Sequence, residues 1–312
     1  MQRSNVFQMW IVWGWVAFAA MATAGPLDDY VAKPDPAYEY RLESVVSGPG
    51  LTGYIIAMTS QQWRTETEVN RTRWEHWLQI IVPAGVRNDT GFLLISGGSN
   101  GRAAPDKLSA IPAEIARRTG SIAAEIGMIP NQPLIFPGDG RERSEDAIIA
   151  YSWEQFRKTG DTSWPLQLPM VKSAVRAMDT VQKFTADLSG REMVRSFVVT
   201  GASKRGWTTW LTGAADKRVR AIIPIVIDML NTQASFRHHR AVYGFYAPAV
   251  HDYEEMGIFQ WLDTPESDRL MTIVDPFSYR DRLTMPKFLI HGTGDEFFVP
   301  DSSRFYFDEL KG

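Results

Sequence analysis

A serine flanked by small residues, in Thr200-Gly-Ala-Ser203-Lys-Arg-Gly206, follows an apolar run at 196–199 and precedes a stretch, through Trp210, that can be helical. At a strand-to-helix turn of this kind, small neighbours let the backbone bend sharply. The hydroxyl of Ser203 then stands clear of the sheet as a nucleophile, and the following N–H can hold an oxyanion. The usual Gly-x-Ser-x-Gly spacing would put its second glycine at 205, where this chain has Arg205, with Gly206 one residue later. Taken alone, Gly201 and Gly206 serve equally well to shape a turn that does no chemistry.

Two other segments end in residues that such a serine would need. Phe92-Leu-Leu-Ile-Ser-Gly97-Gly98 is a short apolar run closing on glycines, as a buried parallel strand and its C-terminal loop are written. The exposed N–H groups around Gly98 are candidates for the second half of an oxyanion hole. No Gly-Lys-Ser/Thr follows to bind phosphate. Near the end, Phe288-Leu-Ile-His291-Gly-Thr-Gly294-Asp295 places a carboxylate after an apolar run, which makes Asp295 the acid of a Ser…Asp…His order, with Glu296 and Asp301 as neighbours that could compete.

The histidine of that order should follow Asp295. Only 17 residues remain (312 − 295), and none is histidine. His76, His238, His239, His251 and His291 all precede the acid. Three explanations stand: a chain truncated at its C-terminus, recruitment of an upstream histidine such as His251, or a non-catalytic relative. Truncation is the reading adopted. No spacing selects His251 over His238 or His239, and His291 is worse placed, beside the acid's own loop. The pair His238-His239 has no His-x-x-x-His spacing or cysteine to support a metal site, so it reads as core or surface. No metal or organic cofactor is implied.

These residues need a parallel sheet to present them. Residues 26–36 read as an extended lead-in, and 38–47, 53–59 and 75–82 as an antiparallel set of strands with a turn at Ser47-Gly-Pro-Gly50. Strands at 92–95 and 121–128 then alternate with a helix at 106–118, and helices at 145–157 and 168–184 precede the serine segment. A further strand is expected at 221–227, where Pro224 points to a bulge or an edge position. Residues 228–284 read as a mostly helical cap over the strand ends, followed by a strand at 285–290 and a helix at 301–310. The fold class is therefore an α/β-hydrolase-like, mostly parallel sheet flanked by helices, with its last strand and helix missing.

The formal charge of −3 is spread without blocks, which disfavours nucleic acid as a partner. The absence of cysteine removes disulfides and thiolate chemistry. Arg3, the apolar run 6–20 and Ala22-Thr-Ala24 have the form of a cleaved signal peptide over residues 1–24, leaving a domain at 25–312, exported and without a stable membrane anchor. The 11 tryptophans are assigned only to core and cleft lining.

The segment Gly201-Ala-Ser-Lys-Arg-Gly-Trp-Thr-Thr-Trp210, the loop Gly97-Gly-Ser-Asn100 and Gly294-Asp-Glu-Phe-Phe-Val-Pro-Asp301 together resemble the PhoPQ-activated pathogenicity-related protein family over most of the chain. The resemblance implies a secreted or periplasmic α/β-hydrolase branch with poorly defined substrates and an association with virulence. It also implies Ser203 as nucleophile and Asp295 as the acid that orients a histidine. The Gly-x-Ser-x-x-Gly spacing is similar to that of glucuronoyl esterases, which have a basic residue after the serine. By that likeness Lys204 would hold a developing oxyanion or a substrate carboxylate, and by itself it reads equally as a solvated surface lysine. The expected chemistry is acyl transfer on a small-molecule, peptide or carbohydrate ester, or an amide, with little activity in this chain because the base is absent. A non-catalytic secreted binding protein is the alternative.

Overall fold

The computed structural model describes residues 25–191 and 193–312, so the signal peptide read at 1–24 lies outside the described residues. A seven-stranded sheet organises them. Three long strands, β1 (Glu39–Gly48), β2 (Leu51–Gln62) and β3 (Arg73–Pro83), pair antiparallel, and β3 joins a parallel group through β5 (Ala123–Ile126). Next come β4 (Thr90–Ile95), β8 (Ser196–Ala202) and β9 (Val219–Ile225), all parallel, giving the order β1-β2-β3-β5-β4-β8-β9. The short strands β6 (Leu134–Ile135) and β7 (Glu142–Arg143) form a separate ribbon.

The helix α2 (Ala110–Thr119) packs on β3, β4 and β5 over a small apolar cluster that includes Leu51, Ile81 and Phe92. The main core lies on the opposite face, where α4 (Gln167–Ser189) and α5 (Lys204–Ala215) bury residues such as Val171, Met178, Trp210 and Leu211. The three-to-four-residue spacing expected at 168–184 is the buried stripe of α4. The helix α3 (Asp146–Thr159) then packs against the cap, whose helices are α6 (Thr232–Tyr243), α7 (His251–Glu255) and α8 (Pro265–Val274).

Four local expectations need correction. Residues 26–36 are not wholly extended, because Pro26 opens a helix, α1 (Pro26–Ala32), and Asp28 accepts the Gly25 N–H at 3.1 Å. Arg282 grips the same carboxylate at 3.0 and 2.6 Å and ties the helix down. The crossover helix starts at 110 rather than 106, since the Ser109 backbone N–H is drawn to Gln79 Oε1 at 2.5 Å and its hydroxyl to Glu125. Residues 301–310 form two short 3₁₀ turns, Ser302–Phe305 and Phe307–Glu309, instead of one helix.

The fourth correction concerns the strand expected at 285–290. It exists only as two isolated parallel bridges to β9, Ile222–Lys287 and Ile225–Ile290. The cause lies in the prolines. On this side of β9, Ile222 N–H donates to Pro286 O at 3.1 Å and Val226 N–H to Ile290 O at 2.7 Å, and the position between them is Pro224, which has no N–H to give. Pro224 thus sits at the edge of the regular sheet, and Phe288 and Ile290 beyond it are exposed.

Candidate active site

Ser203 lies between the last residue of β8 and the first of α5, with φ 56° and ψ −127°. A serine in this region carries strain on the order of 1–3 kcal/mol, held here by the packing on both sides. Its N–H donates to Ile225 O at 2.8 Å, and its C=O accepts the Trp207 N–H at 3.0 Å. The N–H of Lys204 stands at the first helical position, where a helix has no acceptor for it, next to the Ser203 side chain.

The late glycine has a steric reason. A Cβ on Gly206 would lie 2.7 Å from Ile227 Cγ2 and 3.0 Å from two carbonyl oxygens, so only glycine lets α5 close onto β8 and β9. A Cβ on Gly201 would meet the Arg205 backbone at 2.6 Å. Position 205 itself is free for a long side chain, and Arg205 reaches across Gly97, within 2.5 Å of where a Cβ would be.

What Arg205 and Lys204 reach is an acidic pair, Glu145 and Asp146, that no motif in the sequence marks. Glu145 precedes α3 with φ 55° and ψ −125°, nearly the same unusual backbone as Ser203. Its carboxylate takes two bonds from Arg205, at 2.6 and 2.9 Å. Burial would raise the Glu145 carboxyl, but the Arg205 bonds and charge, with help from Gln132 and Lys204, hold it below its ordinary range. Lys204 Nζ lies 2.6 Å from Asp146 Oδ2 and 3.3 Å from Glu145 Oε2. Asp146 also accepts the Tyr253 O–H at 2.9 Å, which links the elbow to the cap. Lys204 is only 8% exposed, so it is not a solvated surface lysine, and its ammonium is taken up by these two carboxylates. The signal that could have found the pair is charge complementarity: two adjacent cations entering a buried helix need two acids, and Glu145-Asp146 stands at the start of α3, two helices earlier.

Ser203, Lys204 and Asp295 line one cavity of about 160 Å³, closed by Trp207, Phe236 and Tyr253. Asp295 Oδ1 accepts the N–H groups of Phe297 at 2.8 Å and Phe298 at 3.2 Å, so one oxygen of the carboxylate is used by its own turn. Gly98, with φ 135°, follows β4 beside Met128 and Arg102, and it is not part of that cavity's wall.

None of the five histidines lines the Ser203 cavity. His76 is buried within the sheet, donating from Nδ1 to Gly127 O at 3.1 Å and accepting from Ser60 at 2.9 Å, and burial pulls its pKa down to about 4. His239 is equally committed: Nδ1 donates to Phe297 O at 3.1 Å and Nε2 accepts the Ala247 N–H at 2.9 Å, with burial favouring the neutral ring. It serves to fix the Asp295 loop to the cap. His238 bonds Asp301 at 2.7 Å, and His251 is exposed at the start of α7. His291 Nδ1 lies 4.0 Å from Asp228 Oδ2. Asp228 is buried, accepts the Tyr306 O–H at 2.5 Å through Oδ1 and has no hydrogen-bond partner at Oδ2, and burial raises its pKa. Among the described residues, no group of three or more histidine, aspartate or glutamate side chains is arranged to hold a metal ion. No described helix is long and apolar enough to cross a membrane.

This architecture is shared with solved esterases. An acetyl xylan esterase from Paenibacillus sp. R4 superposes with a TM-score of 0.59 at 14% identity, over 92% of this chain and 84% of that one. Acetyl Xylan Esterase 1 from Thermoanaerobacterium sp. JW/SL YS485 gives 0.55 at 13% identity, over 92% and 83%. At these identities the likeness is one of fold. Autocrine proliferation repressor protein A of Dictyostelium discoideum is 41% identical over 297 residues, 95% of this chain and 60% of the relative, so the chain spans less than two thirds of that protein. The family model for PhoPQ-activated pathogenicity-related protein matches residues 27–312, and the chain belongs to that family.

Proposed function

We propose that the site performs serine acyl transfer on an ester, with Ser203 as nucleophile. The observation that carries the reading is the strained backbone of Ser203 at the β8–α5 turn, in a cavity that also contains Asp295. Ser203 Oγ attacks the carbonyl carbon while its proton passes to a base. The oxyanion is held by the N–H of Lys204, whereas the Gly98 loop, expected from the sequence to give a second donor, lies outside this cavity's wall. Collapse expels the alcohol, which takes the proton back, and water then releases the acid. The Lys204 ammonium, placed between Asp146 and Glu145, positions the elbow instead of meeting the oxyanion.

The cavity of about 160 Å³, walled by aromatic rings, fits a short acyl group. The acetyl xylan esterases named above make a carbohydrate ester the favoured substrate class. Asp295 is the acid that orients a base supplied from outside these residues, because every histidine of the chain has another place. The chain by itself is therefore expected to turn over esters weakly. Export is part of this reading, from the segment 1–24 and the autocrine role in the relative's name.

A second reading, a secreted binding protein on a hydrolase scaffold, is favoured by that relative's name, which describes a repressor and no enzyme. A fluorophosphonate probe separates the two. Labelling that disappears in Ser203→Ala supports an activated serine, whereas a chain that stays unlabelled even with an added nitrogenous base is a scaffold without chemistry.

A further inference from the structure

The described tryptophans are core residues, with one exception. Trp63, Trp74, Trp153, Trp164, Trp207, Trp210 and Trp261 are buried, whereas Trp77 on β3 is partly exposed. Its indole N–H donates to Arg102 O at 2.7 Å, which fixes the ring, and among the described residues no other aromatic ring stacks on it. Trp77 lies where two clefts meet. One, of about 420 Å³, runs toward β1 and β2 and contains Arg41, Arg71, Arg73 and Arg102. The other, of about 330 Å³, shares Trp77, Arg102 and Met128 with it and extends to Gly97.

Arg41 pairs with Glu43, and the first cleft holds one guanidinium more than its ion pairs use. Its carboxylates are Glu39, which pairs with Arg73 at 2.7 Å, and Glu75, which pairs with Arg71 at 3.5 Å. Both pairs are solvent-exposed, of the kind that a ligand can replace at small cost. Arg102 is exposed and has no ion-pair partner among the described residues, in a chain whose formal charge is −3. Asp106, Lys107 and Glu125 line the second cleft, so what sets the junction apart is the one unpaired guanidinium of Arg102 beside Trp77.

Its position relates it to the serine. Gly127 N–H donates to Trp77 O at 2.9 Å, so Trp77 stands at the C-terminal end of β5, the same sheet edge as Gly97 and Ser203. Three strand spacings separate β3 from β8, a span of about 14 Å. A chain of two or three sugar rings covers that distance.

We infer that the Trp77–Arg102 cleft binds an acidic sugar unit of an extended carbohydrate whose ester-bearing end lies at Ser203. An indole fixed at its edge offers a flat face to the C–H side of a pyranose ring. A guanidinium without a partner offers two parallel donors to the sugar carboxylate. An acidic peptide could satisfy the arginines but has no ring to cover Trp77. The assignment rests on the ester reading only for the direction of the chain toward Ser203. Binding itself requires no working nucleophile.

The test is calorimetric titration of the whole chain with trigalacturonate, xylotriose and triglutamate. Trigalacturonate is expected to bind, more weakly as salt is raised, and xylotriose and triglutamate at least tenfold more weakly. Arg102→Gln should lower the trigalacturonate affinity about tenfold, for the loss of one charge-assisted pair. Trigalacturonate binding by a wild-type chain that takes no fluorophosphonate label would sink the acyl-transfer reading and leave the cleft standing, which keeps the two failures distinguishable. Failure of trigalacturonate to bind at millimolar concentration, equal binding of xylotriose or triglutamate, or an Arg102→Gln affinity equal to wild type would each overturn the assignment.

Discussion

The two sides of the Ser203 cavity are built differently. On the nucleophile side, β4, β8 and β9 pair along their lengths, and both cations that follow the serine have carboxylate partners. On the acid side, residues 287–290 touch β9 through two bridges, Asp228 Oδ2 has no hydrogen-bond partner and only His291 at 4.0 Å, and Asp295 spends one oxygen on its own turn. The contrast teaches that an elbow is assembled by interior strands and a buried ion network, whereas the position of an acid and its base depends on what happens at the sheet edge. The geometry of the elbow can therefore be set independently of where an acid and a base come to lie.

The largest effect should come from the nucleophile side. Lys204→Ala leaves Asp146 buried with only the Tyr253 hydroxyl and should lower unfolding stability by about 3–5 kcal/mol, the cost of breaking a buried pair from one side. Urea denaturation measures it, and a loss below about 1 kcal/mol would mean that the network does not hold the elbow. A smaller effect is expected for Gly206→Ala, where the added methyl meets Ile227 and two carbonyls. Overpacking of this kind costs about 1–3 kcal/mol, and it should displace Ser203 enough to abolish probe labelling.

The smallest effect belongs to the acid side. In Asp228→Asn the Tyr306 O–H keeps an acceptor, so the change in stability should stay within about 1 kcal/mol. Its pH dependence has a definite sign. Burial raises the Asp228 carboxyl, so the folded chain keeps that proton to higher pH than the unfolded chain. The stability associated with it is present at low pH and is lost as pH rises through the folded value. The variant should therefore gain on the wild type as pH rises from about 4, the ordinary carboxylate value, toward neutrality. Thermal melts across that range would show the opposite trend if Asp228 were held ionised by His291.

The same division explains what could be read from the residues alone. The order of Ser203 after β8 and Asp295 after the last apolar run was legible because each is local: a periodic apolar segment ends and a polar residue follows. Pro224 likewise marked an edge, since one missing donor is a property of one residue. Glu145, Asp146 and Tyr253 were not legible as partners of Lys204 and Arg205. Asp146 and Tyr253 are 107 positions apart, and no local pattern pairs them. Phe288-Leu-Ile290 is apolar and predicts a full strand over 285–290. Whether an apolar run forms a ladder depends on its neighbour's donors, and Pro224 withholds one. The cavity shared by Ser203 and Asp295 is a product of long-range packing, which chain order anticipated without giving its walls.

The most direct test of the account is chemical rescue. Hydrolysis of p-nitrophenyl acetate would be followed with and without added imidazole, in the wild type and in Ser203→Ala, taking the difference between the two proteins as the enzymatic rate. The account predicts a small difference without imidazole and a clear, saturable increase with it, as a diffusible base enters beside Asp295. A difference that is equally large without imidazole would contradict it by showing that the chain already holds its base, and no difference under either condition would show that Ser203 is not a nucleophile.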